Sequence, residues 1–278
     1  MDYIDLHAHI LPGLDDGPET LEESLQMAEM ALKQGINQVV ATPHVVEGLY
    51  ENNKSVILER TRLLQEALKK KGCFLEIIPG AEIHISDNIM DLLERGELLT
   101  INDAGKYILL ELPHSQSIPP YIDNLVFQLS IKGVRTIIPH PERNISVQEN
   151  PNILIPLIRQ GVLMQSTLSS FTGHFGAEVT RTAEILLKHH MVHLLATDMH
   201  SIGGRLRGFT RALEKVTMLV GKENLRAMIV SGPQLVLQGR EVDLPEPCLY
   251  EKESPWGNLR NLFKGIFTSV GQDKSQGM

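Results

Sequence analysis

Tyr3-Ile4-Asp5-Leu6-His7-Ala8-His9-Ile10 is the stretch that decides the fold. Its even-numbered residues are all apolar, and alternation with a period of two predicts a β-strand with the odd-numbered residues on the opposite face. A helix is predicted to begin after Thr20, which forms a capping box with Glu23, and to end near Gly35. The chain therefore opens with a βα unit in which His7 and His9 point the same way.

The same alternation of strand and helix continues along the chain of 278 residues. Six further apolar runs rich in β-branched residues are predicted strands, at 37–42, 74–79, 107–112, 134–138, 162–165 and 192–196. Helical spacing is found at 53–71, 87–96, 121–132, 151–160, 176–190 and 206–219. The fold class is α/β, and seven units predict a distorted (β/α)7 TIM-like barrel in a single domain, with an open doubly wound sheet as the alternative.

Polar residues follow one predicted strand after another. After His7 and His9 come His44, Glu82, Glu111, His140, Asp198 and His200. The carboxyl ends of parallel strands meet on one face of a barrel, so these side chains are expected to lie together. Buried carboxylates are costly unless they are paired or bind cations. The arrangement favours a site for several metal ions and a metal-dependent hydrolase.

Composition excludes other classes of protein. The formal net charge is -8 and no basic run is present, so nucleic acid is not an expected partner. The opening residues lack a signal-peptide pattern and no apolar run approaches the roughly 20 residues of a membrane span, so a cytoplasmic protein is expected. Cys73 and Cys248 form no CxxC pattern. Neither is followed six positions later by the Arg of cysteine-dependent phosphatases, since Pro79 and Ser254 stand there.

The end of the chain differs from the rest. We assign residues 1–244 to the barrel and residues 245–278 to a C-terminal tail. Within the tail, apolar residues from Trp256 to Phe267 recur at helical spacing and predict a short amphipathic helix. Packing of this helix on the barrel is favoured over membrane contact, because most apolar stripes are buried within their own protein.

Several of these segments resemble one known superfamily. They are Asp5-Leu6-His7-Ala8-His9, Leu14-Asp15-Asp16-Gly17-Pro18, Ala41-Thr42-Pro43-His44, Pro79-Gly80-Ala81-Glu82, His140-Pro141-Glu142-Arg143-Asn144 and Thr197-Asp198-Met199-His200. Together they resemble the polymerase-and-histidinol-phosphatase (PHP) superfamily over residues 1–240. The Asp-Asp-Gly-Pro and His-Pro-Glu-Arg-Asn segments are most similar to its manganese-dependent tyrosine-protein phosphatases from bacterial capsule and exopolysaccharide operons. The resemblance implies the PHP fold.

The resemblance also implies three divalent metal ions. Its pattern assigns the first to His7, His9, Glu82 and Asp198, the second to Glu82, Glu111 and His140, and the third to Asp16, His44 and His200. Nitrogen and oxygen ligands suit Mn, Fe or Zn, and the family favours Mn²⁺. Asp15 competes with Asp16 for the ligand role, since an Asp before Gly17 also caps turns.

The same resemblance implies a mechanism and a partner. Arg143 and Arg205 are expected to hold phosphate beside the catalytic Asp198, although an arginine at such a position also forms surface ion pairs. Four ligand carboxylates would cancel two divalent ions but leave three with a charge of +2, which attracts a phosphate dianion. In-line attack by a metal-bridging hydroxide is expected. The implied partner is a phosphotyrosine protein, in the family a bacterial tyrosine autokinase.

Other histidines and other functions complete the expectations. Six histidines have no ligand role in the family pattern: His84, His114, His174, His189, His190 and His193. The alternative functions are another PHP hydrolase, such as a histidinol-phosphate phosphatase or a nuclease, and a catalytically silent module that regulates a partner. The sequence does not decide the oligomeric state.

Overall fold

The computed structural model describes residues 3–252, and its paired strands in that range all run parallel. They are β1 (Tyr3–Ala8), β2 (Ile36–Ala41), β3 (His44–Val45), β4 (Glu76–Pro79), β5 (Glu82–His84), β6 (Tyr107–Glu111), β7 (Arg135–Pro139), β8 (Leu163–Thr167) and β9 (Leu194–Ala196). β3 follows β2 after two residues, and β5 follows β4 after two residues. The two pairs correspond to two of the seven predicted strands, each interrupted at a Pro or Gly that sequence periodicity passes over.

These strands close into a barrel. The order β1-β2-β4 in one sheet meets the order β3-β5-β6-β7-β8-β9 in the other through the two interrupted strands. The last strand returns to the first, because Asp198 N donates to His7 O at 2.9 Å and His9 N donates to Met199 O at 2.8 Å. The predicted (β/α)7 TIM-like barrel is confirmed, and the open sheet is wrong because its edge strands would not be joined.

Helices surround the strands. The described helices are α1 (Leu21–Lys33), α2 (Lys54–Lys70), α3 (Ile89–Glu94), α4 (Ile122–Ile131), α5 (Ile145–Glu149), α6 (Ile155–Arg159), α7 (Ala177–Lys188), α8 (Phe209–Arg226) and α9 (Gly232–Leu237). The capping box predicted at Thr20 is present at the start of α1. The predicted helix at 151–160 is divided into a 3-10 turn and α6, and α8 runs beyond the predicted 219. Sequence reasoning missed α5 and α9.

Two apolar cores lie on either side of the barrel wall. The larger core packs the helices against the outer strand faces. The smaller core fills the barrel interior, and Val236 and Leu237 of α9 close it at one end. Its other buried residues come mostly from the strands: Ile4, Leu6, Val40, Ile78, Ile101, Tyr107, Leu109, Ile137, Leu163 and Leu194. A filled interior leaves the carboxyl end of the barrel as the place for polar side chains.

A β-bulge in β1 turns its histidines inward. Asp5 is paired with Val39 and Ala8 with Ala41, so β1 has one residue more than β2 between these pairs. Ile4 and Leu6 belong to the interior core, whereas Ala8 belongs to the outer core. The predicted single apolar face of β1 is therefore wrong: the bulge changes the phase, and this brings His7 and His9 to the interior side.

The chain divides into two units close to the predicted start of the tail. Contacts divide the chain into Met1–Cys248 and Leu249–Met278, and residues 249–252 are the described part of the second unit. The amphipathic helix predicted from Trp256 to Phe267 lies outside the described residues, and the boundary at residue 244 stays a prediction. Among the described helices, none combines the length and apolarity that a membrane span requires.

The carboxylate of Asp5 joins the bulge to the last strand, and it provides a test of this closure. Asp5 is buried and accepts hydrogen bonds from His7 N, Thr197 N and Thr197 Oγ1. Burial raises the pKa of Asp5 to about 6, so the folded state holds its proton more tightly than the unfolded state. Its contribution to the free energy of unfolding therefore falls as the pH rises through about 6.

We expect Asp5→Asn to remove this pH dependence. Urea unfolding of both proteins at pH 5 and pH 7 should show that the wild type loses about 1 kcal/mol relative to the variant between the two values. Gln38→Asn, a change at a half-buried residue of the neighbouring strand β2, serves as the control and should follow the wild type. Parallel pH profiles for wild type and Asp5→Asn would contradict the assignment.

Candidate metal centre

All nine predicted metal-binding residues lie together at the carboxyl end of the barrel. They come from the end of β1, the loop after it, β3, β5, β6 and the turns after β7 and β9. Each of the nine belongs to at least one group whose ligand atoms lie within 4.8 Å of one another: His7, His9, Asp16, His44, Glu82, Glu111, His140, Asp198 and His200. Residues separated by almost two hundred positions in sequence thus form one cluster.

Glu82, at the start of β5, lies at the centre of the cluster. Its Oε2 atom is 3.2 Å from Nε2 of both His7 and His9 and 3.1 Å from Nδ1 of His44. Its Oε1 atom lies 2.8 Å from His140 Nε2 and forms a hydrogen bond with it. Among the described residues, neither Glu82 Oε2 nor His44 Nδ1 has a hydrogen-bond partner, although both are buried. Buried polar atoms that converge without hydrogen bonds fit metal ligands.

The loop after β1 separates the roles of its two aspartates. Asp16 is half exposed, and its Oδ1 lies 3.2 Å from His200 Nε2 and 3.6 Å from His44 Nε2. Asp15 is buried, and its Oδ2 accepts hydrogen bonds from His9 Nδ1 at 2.6 Å and from His44 N at 2.9 Å. Asp15 therefore fixes the orientation of the His9 ring, whereas Asp16 has a carboxylate oxygen directed at the cluster.

A second orienting residue comes from β8. Gln165 Oε1 lies 3.1 Å from His7 Nδ1, which turns the His7 Nε2 atom toward Glu82. Gln165 is buried, and like Asp15 it contacts the ring nitrogen of a histidine that is turned away from the cluster. Sequence reasoning assigned it no role, because Gln165 lies on β8 and His7 on β1, two strands separated by β9, and only closure of the barrel brings the two side chains together.

Two histidines that were given no ligand role lie beside Glu111. His84 Nδ1 is 3.4 Å from Glu111 Oε2, and His114 Nε2 is 3.5 Å from Glu111 Oε1. His114 Nε2 also lies 3.2 Å from His140 Nδ1, and together with Glu111 and His140 it forms a further possible metal group. The spacing of three residues between Glu111 and His114 was the sequence signal for this neighbour.

Backbone strain points two of the side chains into the cluster. His140 has a φ angle of 35° and Asp198 has a φ angle of 55°, which are left-handed conformations that non-glycine residues seldom adopt. Each follows the end of a barrel strand, His140 after β7 and Asp198 after β9. The turn at each position redirects the chain at the point where its side chain faces the other ligands.

Both predicted phosphate-binding arginines contact Asp198. Arg143 Nη2 and Arg205 Nη1 form ion pairs with its two carboxylate oxygens, and Arg205 Nη1 also donates to Asp198 O at 2.6 Å. The side chains of Arg143 and Arg205 are 10% and 17% exposed, respectively. Surface ion pairing, the alternative considered for them, does not describe this geometry, because their partner is a fully buried carboxylate of the cluster.

The protonation equilibria reflect this crowding. Burial opposes ionisation of His9, yet the Asp15 and Glu82 carboxylates raise the pKa of His9 to about 10. Burial and the positive charge of Arg143 lower the pKa of His140 to about 4, so His140 is neutral at pH 7. Metal ions bind deprotonated imidazole, and an ion would displace the proton of His9.

The four remaining histidines, His174, His189, His190 and His193, make local contacts away from Glu82. His189 caps α7 with its Nδ1 atom 2.8 Å from Ile185 O, and His193 Nδ1 accepts from Met164 N at 3.0 Å, so both have structural partners as expected. His190 adopts a left-handed φ of 58° after α7. His174 packs its ring edge-on against Phe175.

Comparison with known proteins agrees with this geometry. The profile of the CpsB/CapC family, described as capsular polysaccharide synthesis, matches residues 3–238. Tyrosine-protein phosphatase YwqE of Bacillus subtilis (strain 168) is 35% identical over 251 residues, covering 90% of this chain and 98% of YwqE. Tyrosine-protein phosphatase CpsB of Streptococcus pneumoniae is 27% identical over 239 residues, covering 84% of this chain and 98% of CpsB.

A solved structure extends the similarity to three dimensions. It comes from a pair of crystal structures, of YwqE from Bacillus subtilis and of CpsB from Streptococcus pneumoniae, which are described as metal-dependent tyrosine phosphatases. It superposes with a TM-score of 0.85 and 33% identity, covering 90% of this chain and 100% of that chain. With the barrel, the ligand cluster and the family profile in agreement, the chain belongs to the CpsB/CapC family.

Proposed function

We propose that this protein is a protein-tyrosine phosphatase that uses three divalent metal ions, most suitably Mn²⁺, held by the strand-end cluster. The observation that carries the proposal is the position of Glu82, whose carboxylate is surrounded by four ring nitrogens from the ends of three strands: His7 and His9 from β1, His44 from β3 and His140 after β7. The first ion is assigned to His7, His9, Glu82 and Asp198, the second to Glu82, Glu111 and His140, and the third to Asp16, His44 and His200.

The donor atoms fit this assignment. All are imidazole nitrogens or carboxylate oxygens, and both cysteines are free, with neither in a metal-candidate group among the described residues. Such a set suits Mn, Fe or Zn. The geometry at Asp15 favours Asp16 as the ligand, because both Asp15 oxygens already accept hydrogen bonds within the chain.

The charges of the site favour a phosphate dianion. When bound, the ions supply an activated water and compensate the negative charge of the phosphate. Three divalent ions exceed the four carboxylates by two positive charges, and Arg143 and Arg205 add two more at the edge of the cluster. A guanidinium can hold two phosphate oxygens at once, so Arg143 and Arg205 orient the group for in-line displacement. Asp198 positions both guanidinium groups.

The substrate partner follows from the relatives. YwqE and CpsB are named tyrosine-protein phosphatases, and we assign phosphotyrosine proteins as substrates here. Within that class, a bacterial tyrosine autokinase of exopolysaccharide or capsule synthesis is the proposed substrate, and a cytoplasmic location is part of the proposal. Co-purification of the two proteins, and dephosphorylation of the kinase by this chain, would test the pairing.

Metal removal provides the first test. Chelation should abolish hydrolysis of a phosphotyrosine peptide, and Mn²⁺ should restore it and raise the melting temperature, because an ion that binds only the folded state stabilises it. Glu82→Gln should lower the number of bound Mn²⁺ ions. Glu142→Gln is the matched control, since Glu142 is equally buried but accepts hydrogen bonds from Thr167 N and Ser170 Oγ. Full activity after exhaustive metal removal would contradict the proposal.

Substitution of site residues provides the second test. His44→Ala or Arg143→Ala should lower kcat for a phosphotyrosine peptide by at least about 10²-fold, the effect expected when an electrostatic catalytic group is lost. Arg159→Ala, which removes an exposed arginine paired with Glu246, should leave kcat unchanged. Circular dichroism and melting curves must show that each variant is folded. Near-normal turnover in the folded Arg143→Ala protein would remove Arg143 from the site.

Substrate choice provides the third test. The Mn²⁺-loaded protein should hydrolyse a phosphotyrosine peptide with a kcat/KM at least about 10²-fold above that for histidinol phosphate or single-stranded DNA. A preference for histidinol phosphate or DNA would place the protein with another metal-dependent hydrolase activity. Failure to hydrolyse any of the three would favour a silent regulatory module.

A further inference from the structure

Phe175 lies against both arginines of the site. Its ring centroid is 4.0 Å from Cζ of Arg143 and 5.3 Å from Cζ of Arg205, within the range of a cation–π interaction. His174, the preceding residue, meets the ring edge-on at a centroid distance of 4.7 Å. No other described phenylalanine is recorded over a guanidinium group. Phe175 thus lies where the two phosphate-binding groups converge.

This position is not explained by packing of the core. Phe171 is fully buried in the outer core, and Phe209 also belongs to it. Phe175 belongs to neither core, and it is also absent from the partly buried residues that pack against them in the described chain. The ring is only partly exposed, and two guanidinium groups and an imidazole lie against it. A phenylalanine kept among charges, outside the core, calls for a role at the site.

The loop that carries Phe175 turns at two glycines. Gly173 and Gly176 flank the pair His174 and Phe175 and have φ angles of 86° and 93°, which a side chain would strain. The loop joins the 3-10 turn Leu168–Thr172, which follows β8, to α7. It therefore projects from the carboxyl end of the barrel, the same face as the ligand cluster.

Because the Phe175 ring lies against both guanidinium groups, a phosphate held by Arg143 and Arg205 would bring its ester group to the side of the cluster where the ring lies. If that group is an aryl ring, it gains contact with an aromatic surface, since two rings attract in stacked or edge-on geometry. An alkyl ester, such as the group of phosphoserine, gains much less. The arrangement can therefore discriminate by the leaving group and not by the phosphate.

We propose that Phe175 is the specificity-determining residue that selects aryl phosphate esters, by contacting the substrate ring while it covers the guanidinium groups of Arg143 and Arg205. The inference rests on the proposed phosphatase function and deepens it. Phe175 is not assigned a part in bond cleavage. It decides which phosphate esters are held in the site, and so it favours phosphotyrosine over phosphoserine.

Binding of two small phosphonates to the Mn²⁺-loaded full chain tests the proposal. Phenylphosphonate and methylphosphonate both present a phosphoryl group, and only the first carries a ring. Isothermal calorimetry would give both dissociation constants for the wild type, Phe175→Leu and Phe175→Tyr. Phe74→Leu makes the same change at an exposed residue before β4, on the opposite face of the barrel, and is the matched control.

We expect Phe175→Leu to reduce the preference for phenylphosphonate over methylphosphonate about 5- to 10-fold, the size of one aromatic contact. Phe175→Tyr, which keeps the ring, and Phe74→Leu should keep the preference within about twofold. An unchanged preference in Phe175→Leu overturns the proposal. Equal weakening of both phosphonates also overturns it, because Phe175 would then act only by holding the arginines.

The phosphatase assignment is tested separately. If the wild type hydrolyses a phosphotyrosine peptide and Phe175→Leu keeps the ring preference, only the inference on Phe175 fails. If the wild type hydrolyses no phosphotyrosine peptide, the proposed function fails whatever the phosphonates show. If the phosphatase function and the role of Phe175 both hold, the kcat/KM of Phe175→Leu for a phosphotyrosine peptide should fall. The fall should come mainly from a higher KM, since the ring contact is made in the ground state as well.

Discussion

The convergence of ring nitrogens on the carboxylate of Glu82 is the interaction on which the rest of the structure depends. A buried carboxylate beside four imidazoles is stable only if charge is compensated, by protons or by metal ions. In the protein without ions, the neighbouring positive charge of His7 holds the pKa of Glu82 well below its usual range, although burial alone would raise it. The barrel therefore brings together a buried carboxylate and the imidazoles that compensate its charge.

The barrel wall meets this requirement through departures from regular structure. The bulge in β1 reverses the phase of the strand, so that His7 and His9 face the interior above Ile4 and Leu6. Left-handed backbone conformations at His140 and Asp198 do the same at two other strand ends. Each departure lies where a regular strand would have pointed the side chain elsewhere, and each is held by hydrogen bonds to the neighbouring strand.

Further side chains surround the cluster. Asp15 and Gln165 fix the imidazole rings of His9 and His7 through the ring nitrogens turned away from Glu82. Arg143 and Arg205 share one carboxylate, which holds both guanidinium groups at the edge of the cluster. In the function that we propose, preorganised positive charge of this kind would stabilise the transition state without the cost of rearrangement. In the same proposal, the apolar surface of Phe175 at this edge would join recognition of phosphate to recognition of its ester group.

The sequence by itself determined the class of fold, the seven βα units and eight strand-end candidates for metal binding, because hydrophobic period and strand-end position are local properties. The ninth candidate, Asp16, lies in a loop and was implied by the resemblance to a known family. Tertiary structure decided the phase of β1, which follows from a bulge that the alternation conceals. It also gave Asp15 and Asp16 different neighbours, since Asp15 accepts hydrogen bonds from His9 and His44 whereas Asp16 lies beside His200, and it revealed Gln165, His114 and Phe175. Their roles depend on which strand ends and loops become neighbours, and that is fixed by closure of the barrel.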